Sequence, residues 1–210
     1  MKNKNISKTF KAVFFDWDNT LADTWPTIFK ATNVVLKHFG QSEISMEEVK
    51  IRARLSSRES FPQQFGENWQ EALSIFYKAV DENKKNIKLY EGTLPLLKAL
   101  KESSCIIAII SNKKGDLLRS EIERFNIPND LILGSGDTNF DKPHPEMGLI
   151  ALKHFELQAN DVVYVGDSIT DWTFAKNLHM DAIAIGNDTY DGPLLARFDS
   201  VDESMKQFIL

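Results

Sequence analysis

The sequence predicts an α/β protein, a doubly wound parallel sheet carrying a second, small helical domain. Three observations predict it: short apolar runs without alternation, helical periodicities between the later ones, and an overlong interval after the first. The runs are Ala12–Phe15, Ile106–Ile110, Val162–Val165 and Ala182–Ile185, with a weaker one at Leu131–Leu133. Continuous Val, Ile, Phe and Ala is what a parallel sheet covered on both faces demands, because neither face meets water.

Between these strands lie helical patterns. Leu117, Leu118, Ile122 and Phe125 form one apolar stripe, Met147, Ile150, Ala151 and Phe155 a second, and Trp172, Ala175 and Leu178 a third. Strand and helix therefore alternate, the signature of the α/β class.

The first interval breaks the rhythm. An ordinary strand-helix-strand unit takes about thirty residues, yet more than eighty separate Asp16 from Cys105. Within it, Trp25, Ile28, Phe29, Thr32, Leu36 and Phe39 fall at helical spacing, with Pro26 in the first turn and Gly40 as the stop. Ser45-Met46-Glu47-Glu48 has the form of a capping box, and Ala72, Ile75, Phe76, Ala79 and Val80 define a further helix with Asn68 as its expected cap. The expected division is a core of residues 1–22 and 90–210 and a helical insert of residues 23–89; the alternative is that these helices extend the core.

Composition narrows the partners. With 42% hydrophobic and 26% charged residues, the chain has a core to bury and is not disordered or fibrous. A net charge of −5 disfavours a nucleic-acid polymer as partner. A single cysteine, Cys105, excludes an intrachain disulfide, and no apolar run is long enough to span a bilayer. The basic, polar stretch from Met1 to Thr9 lacks a secretory apolar segment, so the expectation is a cytoplasmic protein with no membrane partner. The four histidines show no metal-ligand spacing.

The chemistry gathers where strands end. The first strand runs into Asp16-Trp17-Asp18-Asn19-Thr20, and ligands of open α/β sheets bind outside the carboxyl ends of the strands. Two acids there can cap a helix, hold a divalent cation, or divide nucleophilic and proton-transfer work. A second acidic cluster, Gly166-Asp167-Ser168-Ile169-Thr170-Asp171, follows a later strand. If the two tips are neighbours, four carboxylates converge, and two unit charges ~4 Å apart repel by ~4 kcal/mol at an effective dielectric of ~20. The cluster then needs a cation, and hard oxygen ligands suit Mg²⁺. Ser111-Asn112 after the second long strand offers a hydroxyl, an amide and backbone N–H groups to an oxyanion, and Lys142, between Asp141 and Pro143, offers a positive charge. Taken singly, Ser111 also reads as a helix cap and Lys142 as a solvated lysine.

In this order, Asp-x-Asp-x-Thr, Ser, Lys-Pro and Gly-Asp-x-x-x-Asp resemble the haloacid dehalogenase-like hydrolase superfamily over roughly residues 10–198, and the helical insert is similar to the cap of its phosphoglycolate phosphatase-like branch. The resemblance implies a Rossmann-like core with a cap domain and a metal-binding hydrolase. Relatives that cleave carbon–halogen bonds carry tyrosine where this chain has Asp18, and phosphonate-cleaving ones carry alanine, so Asp18 points to a phosphatase acting on phosphoric monoesters.

On this resemblance Asp16 attacks phosphorus to form an aspartyl-phosphate, and Asp18 protonates the leaving group and then activates water. Mg²⁺ falls to Asp16, Asp167 and the backbone carbonyl of Asp18, with Asp171 as ligand or support, and Ser111 and Lys142 stabilise phosphoryl oxygens. Asn19 stands where many relatives have glycine, and His179 where a left-handed residue is expected after a helix.

Substrate selection is assigned to Ser111, Asn112, Lys142, Trp17 beside the catalytic acids, and Arg54 and Arg58 of the stretch from Arg52 to Glu59. Trp17 equally reads as packing beneath the cap, and the arginines as a solvated helix face. The expected ligand is a small phosphorylated metabolite; monomer and homodimer stay open. The alternatives are a phosphosugar mutase of the same superfamily and a non-catalytic phosphate-binding protein.

Overall fold

The computed structural model describes residues 8–53, 55–186, 190 and 192–202; Arg54 lies outside them. The chain divides into two compact units, one of Met1–Ala22 with Leu89–Leu210 and one of Asp23–Lys88.

In chain order the elements are β1 (Ala12–Phe15), β2 (Ala22–Asp23), α1 (Trp25–His38), α2 (Met46–Arg52), α3 (Ser57–Phe65), α4 (Trp69–Asn83), β3 (Lys88–Leu89), α5 (Thr93–Glu102), β4 (Ile106–Lys114), α6 (Gly115–Arg124), β5 (Leu131–Ser135), α7 (Glu146–His154), β6 (Val162–Gly166), α8 (Ile169–Asn177), β7 (Asp181–Ile185) and β8 (Ala196–Phe198).

Six strands form one parallel sheet in the order β5-β4-β1-β6-β7-β8. The pleat sends alternate residues to opposite faces, and both are dry. Ala12, Phe14, Ala108, Ile110, Val162 and Tyr164 share a core with Met147 and Ala151 of α7 and Trp172, Phe174 and Ala175 of α8. The intervening Val13, Phe15, Ile107, Ile109, Val163 and Val165 are equally buried, on the other face. This double burial is why the strands read as unbroken apolar runs. The short edge strand β8, with Arg197 in its middle, has no such run and was not foreseen from sequence.

The order of connections positions the site. From β1 the main chain goes to β4 and outward to β5, then crosses back to β6 on the other side of β1. Phe15 is paired with Ile109 on one side and Val165 on the other, so the ends of β1 and β6 lie side by side, level with the middle of the longer β4, where the strand order reverses. The Leu21 carbonyl accepts from Tyr90 N (3.1 Å) and Thr93 Oγ1 (2.8 Å), stapling the outgoing chain to the returning one.

The second unit is helical. Pro26 lies in the first turn of α1, and Gly40 follows its end at φ 65°. Ser45 and Glu48 form the reciprocal capping box of α2, at 3.3 and 3.0 Å. Val35, Phe61 and Ala72 are the centre of its apolar cluster, joined by Phe39, Phe65, Trp69 and Phe76. Two expectations are corrected here. Asn68 makes no side-chain cap, because a 3₁₀ turn over Gly66–Asn68 runs straight into α4. The stretch from Arg52 to Glu59 is not one helix face: α2 ends at Arg52 and α3 starts at Ser57, behind a Ser56 cap on Glu59 N at 3.3 Å.

Candidate active site

Asp16 is the first residue beyond β1, and its N–H still pairs with Val165 O at 2.9 Å. The chain then turns tightly. Trp17 O accepts from Leu21 N and Ala22 N, and Asn19 N donates to Ala22 O at 2.7 Å. Asn19 sits at φ 61°, a left-handed conformation that asparagine tolerates better than most residues, which explains how it replaces glycine there.

Lys142 is the hub of the site. Its ammonium lies 2.7 Å from Asp16 Oδ1, 2.7 Å from Asp171 Oδ1 and 2.8 Å from the Tyr164 hydroxyl. The residue is only 2% exposed, so it is no solvated lysine. Burial works against its charge, but Asp16 and Asp171 outweigh burial and hold it protonated. Its backbone is fixed by Asn112, whose Oδ1 accepts from Lys142 N and whose Nδ2 donates to Lys142 O, both at 2.8 Å. Asp171 is fixed in turn: Ser168 donates to its Oδ2 from N (3.1 Å) and Oγ (2.6 Å) in a capping box at the start of α8. A side chain on Gly166 would meet Asp171 at 2.4 Å, so the approach of α8 to the β6 tip requires glycine.

Asp16, Asp167 and Asp171 each offer an oxygen, all within 4.8 Å of one another. Lys142 supplies one positive charge to these three carboxylates. Burial, only partly offset by Lys142 and aggravated by Asp171 and Asp18, lifts the Asp16 carboxyl to about 7. Burial, then Asp171 and Asp16, push Asp167 well above the carboxylate range. The negative charge is under-compensated, and an all-oxygen donor set with that surplus fits a divalent cation. Thr20 Oγ1 approaches Asp167 Oδ1 at 3.4 Å.

A second lysine clamp lies beside the first. Lys113 Nζ is 2.9 Å from Asp18 Oδ1 and 3.0 Å from Glu121 Oε1, while Trp17 Nε1 donates to Glu121 Oε2 at 2.6 Å.

Of the residues expected at the site, Asp16 and Asp167 at the tips of β1 and β6, Asp171 in the first turn of α8 and Lys142 in the loop before α7 are brought together, with Asp18 two residues beyond Asp16. Ser111 is buried on β4, not at a helix N-terminus, and its Oγ accepts from Lys113 N at 3.3 Å. Trp17 is corrected: its indole is fully buried, tilted against Phe125 and committed to Glu121, so it presents no surface to a substrate. Asn112 is spent on the Lys142 backbone and acts through that residue. Arg58 is half-buried in α3 of the helical unit, and Arg54 lies outside the described residues.

Sequence reasoning missed Lys113, Glu121 and Tyr164. A usable signal existed for one of them: Glu121 interrupts the apolar stripe of α6, three residues after Leu118 and beside Ile122. A charged residue on a buried face calls for a buried partner.

The sequence signature of the haloacid dehalogenase-like hydrolases matches residues 13–185. Phosphoglycolate phosphatase 1 of Pseudomonas aeruginosa is 26% identical over 178 residues, covering 79% of this chain and 65% of that protein. Phosphoglycolate phosphatase of Rhodobacter capsulatus is 27% identical over 180 residues, covering 79% of this chain and 80% of that one. Among solved structures, a Bacteroides fragilis protein described as haloacid dehalogenase-like superposes with a TM-score of 0.86 at 26% identity, covering 93% of this chain and 100% of that chain. No helix among the described residues is long and apolar enough to cross a membrane.

Proposed function

The chain belongs to the haloacid dehalogenase-like hydrolases, and from that premise we propose that it is a Mg²⁺-dependent phosphatase of a small phosphomonoester, working through an aspartyl-phosphate. The observation that carries the reading is the placement of Asp16: a strand-tip carboxylate paired with a buried lysine, inside a surplus of acids, with a second aspartate two residues on. The relatives named phosphoglycolate phosphatase support a small, anionic phosphate ester as the substrate class.

Asp16 and Asp167, the Asp18 backbone carbonyl and, as ligand or support, Asp171 are the residues that would hold Mg²⁺. Bound there, the ion would supply charge neutralisation, allowing a carboxylate and a phosphate to meet. The chain's own residues do the rest. Lys142 steadies the Asp16 carboxylate and the phosphoryl oxygens, and Ser111 contributes its hydroxyl from the neighbouring strand β4. An Asp16 oxygen attacks phosphorus, the phosphorus–oxygen ester bond breaks, and the leaving oxygen takes a proton from Asp18. Asp18, now a carboxylate, removes a proton from water as that water attacks phosphorus, which frees phosphate and restores Asp16 and the Asp18 acid. In this reading residues 23–88, the helical unit, serve as the cap that excludes water, and Arg54 and Arg58 are candidates for a second anionic group of the substrate.

A panel of phosphate esters assayed for phosphate release with and without Mg²⁺ tests the proposal. Hydrolysis of small monoesters only with Mg²⁺ is the expected result. Isomerisation of a hexose phosphate without phosphate release, or phosphate binding without turnover, contradicts it.

A further inference from the structure

The second clamp has no place in the chemistry described above. Its four members form a closed ring: the Trp17 indole donates to Glu121 (2.6 Å), Glu121 holds Lys113 (3.0 Å), Lys113 holds Asp18 (2.9 Å), and Asp18 is joined to Trp17 by the chain itself. The ring is almost dry. The side chains of Lys113 and Glu121 are 7% and 2% exposed, Trp17 is wholly buried, and Asp18 alone reaches solvent appreciably.

Stability is a poor reason for such a ring. Burying an ion pair costs several kcal/mol per ion in desolvation, and well-packed apolar residues often serve as well or better. A lysine needed only to balance Asp18 would not require a second, buried carboxylate behind it. What the ring does is fix position. Glu121 is held by the residue next to Asp18 and pins the ammonium from behind, so Lys113 cannot swing without taking the counter-charge from the buried Glu121 carboxylate. The rotamer entropy of a lysine is thus given up on folding and not in the reaction. Contact is made through Asp18 Oδ1, which leaves Oδ2 for the transferred proton.

We propose that Lys113 is the positioning residue of Asp18, preset by Glu121 and Trp17, and that the ring holds the Asp18 carboxyl where it meets the leaving-group oxygen. The inference rests on the reading of Asp18 as the acid that protonates the leaving group. General acid catalysis matters for a poor leaving group and little for a good one, and this separates positioning from general damage.

The test compares kcat/KM for an alkyl phosphate and for a dinitrophenyl phosphate, a pair differing in leaving-group basicity. Asp18→Asn comes first and should lower the alkyl value by about a hundredfold or more and the aryl value by less than about tenfold. Equal losses, or none, overturn the acid assignment and this inference with it. Given that split, Lys113→Met should reproduce it in milder form, about tenfold on the alkyl ester and under about threefold on the aryl ester. Because Lys113→Met strands Glu121 in the interior, the double variant K113M/E121Q is measured beside it, with circular dichroism to establish folding. Lys113→Arg should recover part of the alkyl loss, and Trp17→Phe should show a smaller split of the same sign. If folded K113M/E121Q loses both esters equally, or neither, Lys113 does not position Asp18 even though Asp18 remains the acid.

Discussion

Two buried lysines flank the tip of β1, and each bridges a pair of carboxylates. Lys142 joins Asp16 to Asp171, and Lys113 joins Asp18 to Glu121. They differ in what borders them. The Lys142 clamp meets a third acid, Asp167, and its negative charge is left in surplus. The Lys113 clamp is closed by a neutral donor, the Trp17 indole, with no further acid in the ring. In the roles proposed for them, one device serves two ends: the open clamp would store charge for a cation and a phosphate, and the closed one would hold a side chain still.

Breaking the open clamp should have the largest effect. Lys142→Met leaves Asp16 and Asp171 facing each other in a dry site; the expected outcome is a hundredfold or greater loss of phosphate release, by analogy with the ~10²–10³-fold cost of one transition-state donor. Denaturant titration should record a destabilisation of about 3–5 kcal/mol, the penalty for orphaning buried charges.

The surplus itself can be titrated without reference to activity. Mg²⁺ at about a hundred times its Kd should add about 2.7 kcal/mol of stability, visible as a rise in Tm. Asp167→Asn should abolish that rise and Glu121→Gln should preserve it; equal behaviour of the two variants would erase the distinction between the clamps.

The smallest change removes one oxygen. Tyr164→Phe takes a hydroxyl from between Lys142 and the Ile110 carbonyl, where it donates at 2.7 Å. A loss of about 1–3 kcal/mol in equilibrium unfolding is expected, the cost of leaving a buried partner unpaired.

The open clamp was largely legible in the sequence and the closed one was not. Asp16 and Asp167 stand just beyond β1 and β6, where a polar residue breaks an apolar run and so announces itself, while Asp171 follows in the first turn of α8 and Lys142 stands out in the loop before α7 by its place between Asp141 and Pro143. The same strands revealed the parallel sheet, because burial on both faces leaves no alternation to misread. Lys113 hid as one of two adjacent lysines, Tyr164 hid inside an apolar strand, and Trp17 looked like a pocket residue because it adjoins two acids. Their roles depend on which face each side chain takes and on partners distant in the chain, 104 residues away for Trp17 and Glu121. Local pattern does not encode such pairings, although Glu121 on an apolar stripe marks the place where one must exist. The short edge strand β8 was missed for a related reason, since three residues with a central arginine carry no periodicity.

The proposed chemistry turns on Asp16 as the nucleophile of the open clamp. Asp16→Asn keeps the size of the side chain and most of its contacts but removes the attacking oxygen anion. The readout is phosphate release from an aryl phosphate in saturating Mg²⁺, measured on variant protein that folds as the parent does. No release above background is expected; turnover within about tenfold of the parent would rule Asp16 out as the nucleophile.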